Sequence, residues 1–503
     1  MNPEQWSREK FYEVVSQRLA GRKLIAVSNR EPFIHRRTAS GAVECLRPAS
    51  GLTTALHPIM AASGGTWIAH GSGDADATVT DERGRVQVPP DAPAYTLRRV
   101  WLTEEQECGY YYGLSNEGLW PLCHVAFVRP VFRPADWAAY REVNELFARA
   151  VMDEAGGEPA LVFIQDYHFC LLPRMLRQMG GENLLIAHFW HIPWPNREVF
   201  RVFPWAEEVM DGLLGNDVIG FHIRYHCQNF RDTADRVLEA RVDNDLSEIT
   251  RGGRPTKVRP FPISIDFEAH AERAQRPSVT AAMERWRKRL QLPADIRIGA
   301  SIERLDYSKG IPHRLLGVEY FFEQHPEWHG RVTFIQIAAP SRSSLEAYQR
   351  EEREIAEAAE RLNAKFSRED WKPLHLIEEH HSEDEMMALH RLADLFMVNS
   401  LHDGMNLVAK EFVASRADER GVLVLSRFTG AFRELSEAVD INPFSIDDIA
   451  RAIHTALEMA PPEQEWRMRQ MREHVAYQNV YRWGWKILAT LLRLDVPSLE
   501  GGD

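Results

Sequence analysis

The chain has 503 residues, 44% hydrophobic and 26% charged, with a formal net charge of −13. That length implies two to four domains, the composition is that of a soluble globular protein, and the acidic balance excludes a general nucleic-acid binder, so an anionic ligand must be met by a local basic cleft. No apolar run is long enough to cross a bilayer, residues 1–10 lack the apolar core of a signal peptide, and Cys45, Cys108, Cys123, Cys170 and Cys227 form no zinc or redox motif, which leads to the expectation of free thiols in a cytoplasmic protein.

Residues 3–20 carry a weak helical pattern (Trp6, Phe11, Val14, Val15, Leu19). This predicts a leader helix that packs on a domain surface or, alternatively, serves a homo-oligomer contact. Residues 23–28 read as the first strand, and Arg30 follows directly. In 47–56 a loop containing Gly51 enters a helix, which suits a phosphate. Gly64-Gly65 and Gly71-Ser72-Gly73 do not sit in a Gly-x-Gly-x-x-Gly frame and read as turns. Residues 107–121 are aromatic and loop-like, and on residue type alone Tyr111 and Trp120 read as core. A helix is expected over 137–154, then a buried strand over 160–165 with Asp166-Tyr167-His168 at its C-terminal end. Asp166 can cap the next helix, offer a carboxylate to a reacting hydroxyl, or both. The strand 184–190 leads into His191-Ile-Pro-Trp-Pro195, a loop stiffened by its prolines. His188 and His191 make a poor metal pair, and His222 and His226, after the strand 217–222, read as structural. A helix follows over 224–241. Residues 257–266 read as the last strand of the first half and a stiff linker through Pro260 and Pro262, which puts a domain boundary near 266.

The second half alternates strands near 296–301, 331–338, 374–378, 395–399 and 421–426 with helices, the longest near 343–364, and so predicts a parallel sheet covered on both faces. Two strand ends carry chemistry. Residues 298–310 place Arg304 and Lys309 on one turn, a fork and a point charge able to clamp a diphosphate where α/β sheets bind ligands. Residues 401–411, Leu-His-Asp-Gly-Met-Asn-Leu-Val-Ala-Lys-Glu, form a tight turn into a helix, with Asp403, Gly404 and Asn406 as turn and N-cap residues. The helix N-terminus suits a phosphate, Gly404 permits close backbone approach, and Glu411 shares a face with Leu407. Such a turn suits a nucleotide sugar; alone, it reads in preference as an ordinary strand-to-helix turn capped by Asp403. Ser341-Arg342 stands at another strand end. His380-His381, among Glu378, Glu379, Glu383 and Glu385, reads as a solvated acidic turn in preference to a metal site. A last helix, apolar on one face, is expected over 480–494.

Glu303-Arg-Leu-Asp-Tyr-Ser-Lys-Gly310 together with Asp403-Gly-Met-Asn-Leu-Val-Ala-Lys-Glu411 resembles the trehalose-6-phosphate synthase family of retaining glycosyltransferases. The similarity extends to Val27-Ser-Asn-Arg30, Asp166-Tyr-His168, His191-Ile-Pro-Trp-Pro195 and Ser341-Arg342, from about residue 24 to about residue 494. It implies the GT-B fold, an α/β architecture of two Rossmann-like domains facing a central cleft, with the last helix crossing back to the first domain. On this chain that means a leader at 1–22, an acceptor domain at 23–266, a nucleotide-sugar domain at 267–479 and a crossover helix and tail at 480–503. The implied reaction moves glucose from a nucleoside diphosphate glucose, such as UDP-glucose, to glucose 6-phosphate, with no nucleic-acid or membrane partner. The resemblance assigns the acceptor to Arg30, Tyr111, Trp120, Asp166 and Arg342, and the reaction centre to Asp166, His191, Arg304 and Lys309. It assigns the donor to Gly51, Arg304, Lys309, Asp403, Gly404, Met405, Asn406, Leu407, Val408 and Glu411, with Asp403 on glucose hydroxyls and Glu411 on the ribose. No metal or cofactor is expected, because Arg304, Lys309 and the helix N-terminus near Asn406 would stabilise the leaving diphosphate. The family's Gly-Gly is Ser50-Gly51 here, a departure that bears on the donor contact and the donor base. Two alternatives are kept: another phosphorylated acceptor, as in glucosylglycerol-phosphate synthases, with 104–123 deciding; and a non-catalytic sugar-phosphate sensor. Against the sensor stands the presence of Asp166, His191, Arg304, Lys309, Asp403 and Glu411.

Overall fold

The computed structural model describes residues 6–19, 21–48 and 51–493. The chain divides into two compact units, Met1–Ile263 with Val480–Asp503, and Ser264–Asn479.

The first unit is built on a ten-stranded sheet. Its parallel centre runs, in spatial order, Arg254–Pro260, Val218–Phe221, Leu184–Phe189, Ala160–Gln165, Lys23–Ser28, Thr66–His70, Tyr95–Val100. Antiparallel strands close both edges, Arg241–Asp243 with Glu248–Arg251 on one side and Arg85–Val88 on the other. The central strands Ala160–Gln165 and Val218–Phe221 are buried along their whole length, as expected for apolar strands covered on both faces. Chain order reverses between Lys23–Ser28 and Ala160–Gln165, so the loops leaving these two strands flank the topological switch point where such sheets take ligands. Those loops carry Arg30 and Asp166.

The second unit repeats this plan. Its six strands, all parallel, lie in the order Leu374–Ile377, Val332–Ala339, Arg297–Arg304, Leu395–Val398, Val422–Ser426, Val439–Ile441. The last of these escaped the sequence reading because it is three residues long. The switch point falls between Arg297–Arg304 and Leu395–Val398, the strands that lead to Lys309 and Asp403. Beneath it Arg314 is buried in an ion pair with Glu303, hydrogen-bonded also to Gln336 and Asn399. Glu303 therefore serves the fold.

The leader helix is Arg8–Leu19, with Phe11, Val15 and Leu19 buried. Phe11 packs on Tyr481 of the last helix, Val480–Leu491. That helix has crossed back to the first unit, where Trp483 packs on Phe163 and Phe189 of two central strands. Residues 1–5, Ala20, Ala49, Ser50 and 494–503 lie outside the described residues, so the Ser50 departure and the tail are not part of this description. The junction falls between Ile263 and Ser264, three residues before the expected 266, and Phe261, Ile263, Ser264 and Ile265 around it are buried.

One expectation is overturned. Residues 104–123 are not a loop: Glu104–Glu107 is α-helical, Cys108–Leu119 winds as a wider π-helix and Trp120–His124 is α-helical again. Two of the glycines here are packing devices. A Cβ on Gly109 would lie 2.7 Å from Ala139 Cβ, and one on Gly113 would lie 2.5 Å from the Asp136 carboxylate. Both glycines let this helix press against Pro134–Ala155.

Candidate active site

In the first unit the strand Ala160–Gln165 delivers Asp166 in a left-handed conformation, φ 72° and ψ 176°. Non-glycine residues occupy this region only where the surroundings hold them, and such strain gathers at functional sites. Asp166 N–H donates to Phe189 O at 2.7 Å, His188 Nε2 donates to Asp166 O at 2.9 Å, and the carboxylate accepts from His191 N–H at 3.2 Å. His191 is oriented at both ends: its Nε2 bonds Gln165 Oε1 at 2.9 Å, and its carbonyl accepts from His222 Nε2 at 2.9 Å. Burial, and then the facing His222, His188 and His168, hold His191 well below its ordinary pKa. It is thus a neutral imidazole at pH 7, able to donate or accept a hydrogen bond without carrying charge.

Aromatic rings join Tyr111 and Trp120 to this loop. Tyr111 stacks on His168 at 5.8 Å and 12°, and Asn116 bonds Tyr111 O and accepts from Tyr167 OH. Tyr111 is half-buried, whereas Trp120 is buried on His124 and Tyr167, as its residue type suggests. Glu31 turns inward to pair with Arg99 at 2.7 Å, and the neighbouring Arg30 points out. Arg30 is exposed, and among the described residues no carboxylate pairs with it. Gly51 begins the helix Gly51–Ser63 and is exposed.

In the second unit Lys309 Nζ meets Asp403 Oδ2 at 2.5 Å across the switch point. Asp403 also accepts from Ser400 Oγ and Asn406 Nδ2, and Asn406, at φ 76°, caps the helix Leu407–Ser415 through Ala409 N–H. Met405 is buried, Gly404 lies in the turn, and Leu407 and Val408 are half-buried on the first turn. Glu411 sits one turn further. Burial alone raises its pKa to about 7, and among the described residues its carboxylate has no partner. A half-buried carboxyl with nothing to bond among the described residues is a ligand-facing candidate. Lys410, in the same stretch, is structural: it forms a buried pair with Glu434 at 2.6 Å.

Arg342 has a partner that the sequence reading did not assign, one that Arg304 also influences electrostatically. Asp306 is fully buried. It accepts from Ser308 N–H and Oγ and from Tyr348 OH at 3.2 Å, and lies 3.5 Å from Arg342. Burial would raise its pKa, but Arg342, Arg304 and Lys309 outweigh that and hold it below the usual range. Arg342 Nη1 bonds Tyr348 OH at 2.5 Å, and Arg304 Nη1 bonds Ser341 Oγ at 3.4 Å. This carboxylate thus pairs with Arg342 and lies in the field of Arg304 and Lys309. Its position between Arg304 and Lys309 in one motif was the available signal. Gln165, a polar residue ending an apolar strand, was another.

Among the described residues the one converging group of metal-type ligands is His325, Glu327 and His454. The two imidazoles stack 4.0 Å apart at 7°, so their in-plane lone pairs run side by side. His325 and Glu327 follow the C-terminus of helix Ile311–Gln324 and His454 lies on helix Ile446–Glu458, whereas Lys309 precedes the N-terminus of the first of these helices. His381 packs on Trp286 with Glu379 and Glu385 beside it, so its ring is buried and not solvated as the sequence reading expects.

A sequence model described as Glycosyltransferase family 20 matches residues 22–493. The chain belongs to this family. Its relatives include a Mycolicibacterium vanbaalenii protein named trehalose-6-phosphate synthase, 37% identical over 481 residues, which cover 94% of this chain and 96% of that one. Another is the bifunctional trehalose-6-phosphate synthase/phosphatase of Thermoproteus tenax, 36% identical over 482 residues, which cover 93% of this chain but only 63% of that protein. Among solved structures, the Escherichia coli protein bound with UDP-2-fluoro glucose superposes with a TM-score of 0.83 at 30% identity, covering 94% and 99% of the two chains. A Burkholderia xenovorans UDP-forming α,α-trehalose-phosphate synthase in complex with glucose-6-phosphate gives 0.83 at 30% identity, covering 93% and 100%. The family-20 match spans both switch points, and these structural matches place the chain in the GT-B architecture. No described helix is long and apolar enough to cross a membrane.

Proposed function

We propose that this family-20 chain is a retaining glucosyltransferase that moves glucose from a nucleoside diphosphate glucose to glucose 6-phosphate, giving trehalose 6-phosphate and nucleoside diphosphate. The observation that carries this reading is the second unit's switch point, where Arg304, Lys309 and the capped helix at Asn406 gather positive charge beside Asp403 and the unpartnered Glu411. Relatives named as UDP-forming, a solved structure bound with UDP-2-fluoro glucose and another in complex with glucose-6-phosphate favour uridine as the base and this acceptor over a polyol phosphate.

In this reading the second unit holds the donor, with Arg304 and Lys309 on the diphosphate, Asp403 on glucose hydroxyls and Glu411 on the ribose. Gly51 adds a donor contact from the first unit. Arg30 binds the acceptor phosphate, as does Arg342, and Tyr111 packs on the acceptor ring. The acceptor oxygen bonds to the anomeric carbon on the face that the diphosphate leaves. The carbon–oxygen bond to that diphosphate breaks, and the acceptor proton passes to the departing phosphate oxygen. Asp166 accepts a hydrogen bond from the acceptor hydroxyl, and neutral His191 bonds the donor sugar. Positive groups stabilise the charge growing on the diphosphate in the role a metal takes elsewhere, so the reaction is metal-independent. Five free cysteines, two of them exposed, accord with a cytoplasmic setting.

The test is a matrix of UDP-, GDP- and ADP-glucose against glucose 6-phosphate and glycerol 3-phosphate, run with and without EDTA. Turnover is expected with UDP-glucose and glucose 6-phosphate, unchanged by EDTA. Turnover only with glycerol 3-phosphate would reassign the acceptor. Binding without nucleotide release would make the chain a sensor, and loss in EDTA restored by magnesium would overturn metal independence.

A further inference from the structure

We propose that the first unit carries a second anion site, for a small phosphate-bearing metabolite, at the edge of its sheet opposite Asp166 and His191. It is independent of the transfer reaction. A cavity of about 850 Å³ opens there. It lies at the beginnings of the strands whose ends carry the reacting groups: Arg177 bonds Leu184 O, and Asp217 accepts from Ile186 N–H. Strands of this length separate the cavity from Asp166 and His191 by roughly 20 Å.

The cavity is over-supplied with positive charge in a chain of net charge −13. Asp211 is shared by Arg174 and Arg251, each at 3.0 Å. Asp217 is shared by Arg177 at 2.7 Å and Arg254 at 3.2 Å. The remaining carboxylate, Glu182, pairs with Arg254 and is mostly exposed. Arg493 also lines the cavity and has no partner among the described residues.

The division of labour among these arginines points to a ligand. Arg177 spends its donors on Gly215, Gly181, Leu184 and Asp217, and so supports the strands. Among the described residues Arg174 Nη1, Arg251 Nη2, Arg254 Nε and the whole Arg493 fork make no bond. The shared carboxylates hold the first three guanidinium groups in place, which lowers the cost of ordering them on an anion. Arg251 and Arg254 also face each other as the closing pair of a hairpin, where like charges oppose stability. Between them stand Gly252 and Gly253 at φ 59° and 80°, a two-residue turn with no side chain to cover the mouth. Convergent forks with unused donors match a phosphate group, and the volume admits a sugar phosphate or a diphosphate.

The experiment is calorimetric titration of the full chain with inorganic pyrophosphate. The chain carries Arg30→Ala, Arg304→Ala and Lys309→Ala so that the substrate groups are silenced. One binding event per chain is expected to remain. Adding Arg251→Ala and Arg254→Ala should weaken it about tenfold or more, as loss of charged hydrogen bonds does. In that variant Asp211 and Asp217 keep Arg174 and Arg177. Adding Arg493→Ala instead, which breaks no ion pair, should also weaken binding while leaving the unfolding midpoint in place. No binding in the silenced chain, or binding that ignores these substitutions, overturns the proposal.

Discussion

The two sheets place their switch points in the same way but furnish them differently. In the second unit the crossing is ionic: Asp403 pairs with Lys309, Asp306 pairs with Arg342 in the field of Arg304, and a capped helix opens beside them. In the first unit charge is sparser and aromatic rings surround it: a strained Asp166, an uncharged His191 between Gln165 and His222, and Tyr111 stacked on His168, with exposed Arg30 the lone cation among the residues assigned there. Fixed positive charge suits a leaving diphosphate, whose charge grows during the reaction and must be met without reorganisation. Neutral donors and acceptors suit hydroxyls, whose charge changes little.

This contrast can be broken most sharply at Lys309. Lys309→Ala should lower kcat/KM by about 10²–10³, the usual loss on removing one pre-organised electrostatic group, with the larger part in kcat. Arg304→Ala should act similarly, and steady-state kinetics with near-wild-type turnover for either variant would remove the ionic half of the comparison. Arg30→Ala should have a smaller effect of another kind: KM for the sugar phosphate rises about tenfold, the loss of a charged hydrogen bond, while kcat holds. A fall in kcat at constant KM would place Arg30 in the chemistry rather than in binding.

The smallest effect concerns stability. Burial raises Glu411 from 4.5 to about 7, so between those values the folded chain keeps a proton that the unfolded chain has released. Its contribution to stability therefore falls as pH rises from 4.5 to about 7. The unfolding midpoint of Glu411→Gln, relative to the unsubstituted chain, should improve between about pH 5 and pH 8; an unchanged difference would mean that the carboxylate is solvated.

Short apolar runs ending in polar turns were legible as strands, because a strand buried on both faces must be apolar and must stop where its backbone meets a turn. The motifs at 303–310 and 403–411 were legible for a related reason: each packs cap, glycine and charge into one local turn. The helix at 104–123 was not, since glycines that permit close packing and glycines that permit turns look alike until the neighbouring helix is in place.

The amino-acid sequence by itself determined the strand–turn–helix alternation, the family and the residues at the strand ends, because these depend on neighbours along the chain. The tertiary structure alone decided that Lys309 pairs with Asp403, that Asp306 pairs with Arg342 and that arginines from four separate segments line one cavity. Those arrangements join residues far apart in the chain, and only the strand order brings them within reach of one another.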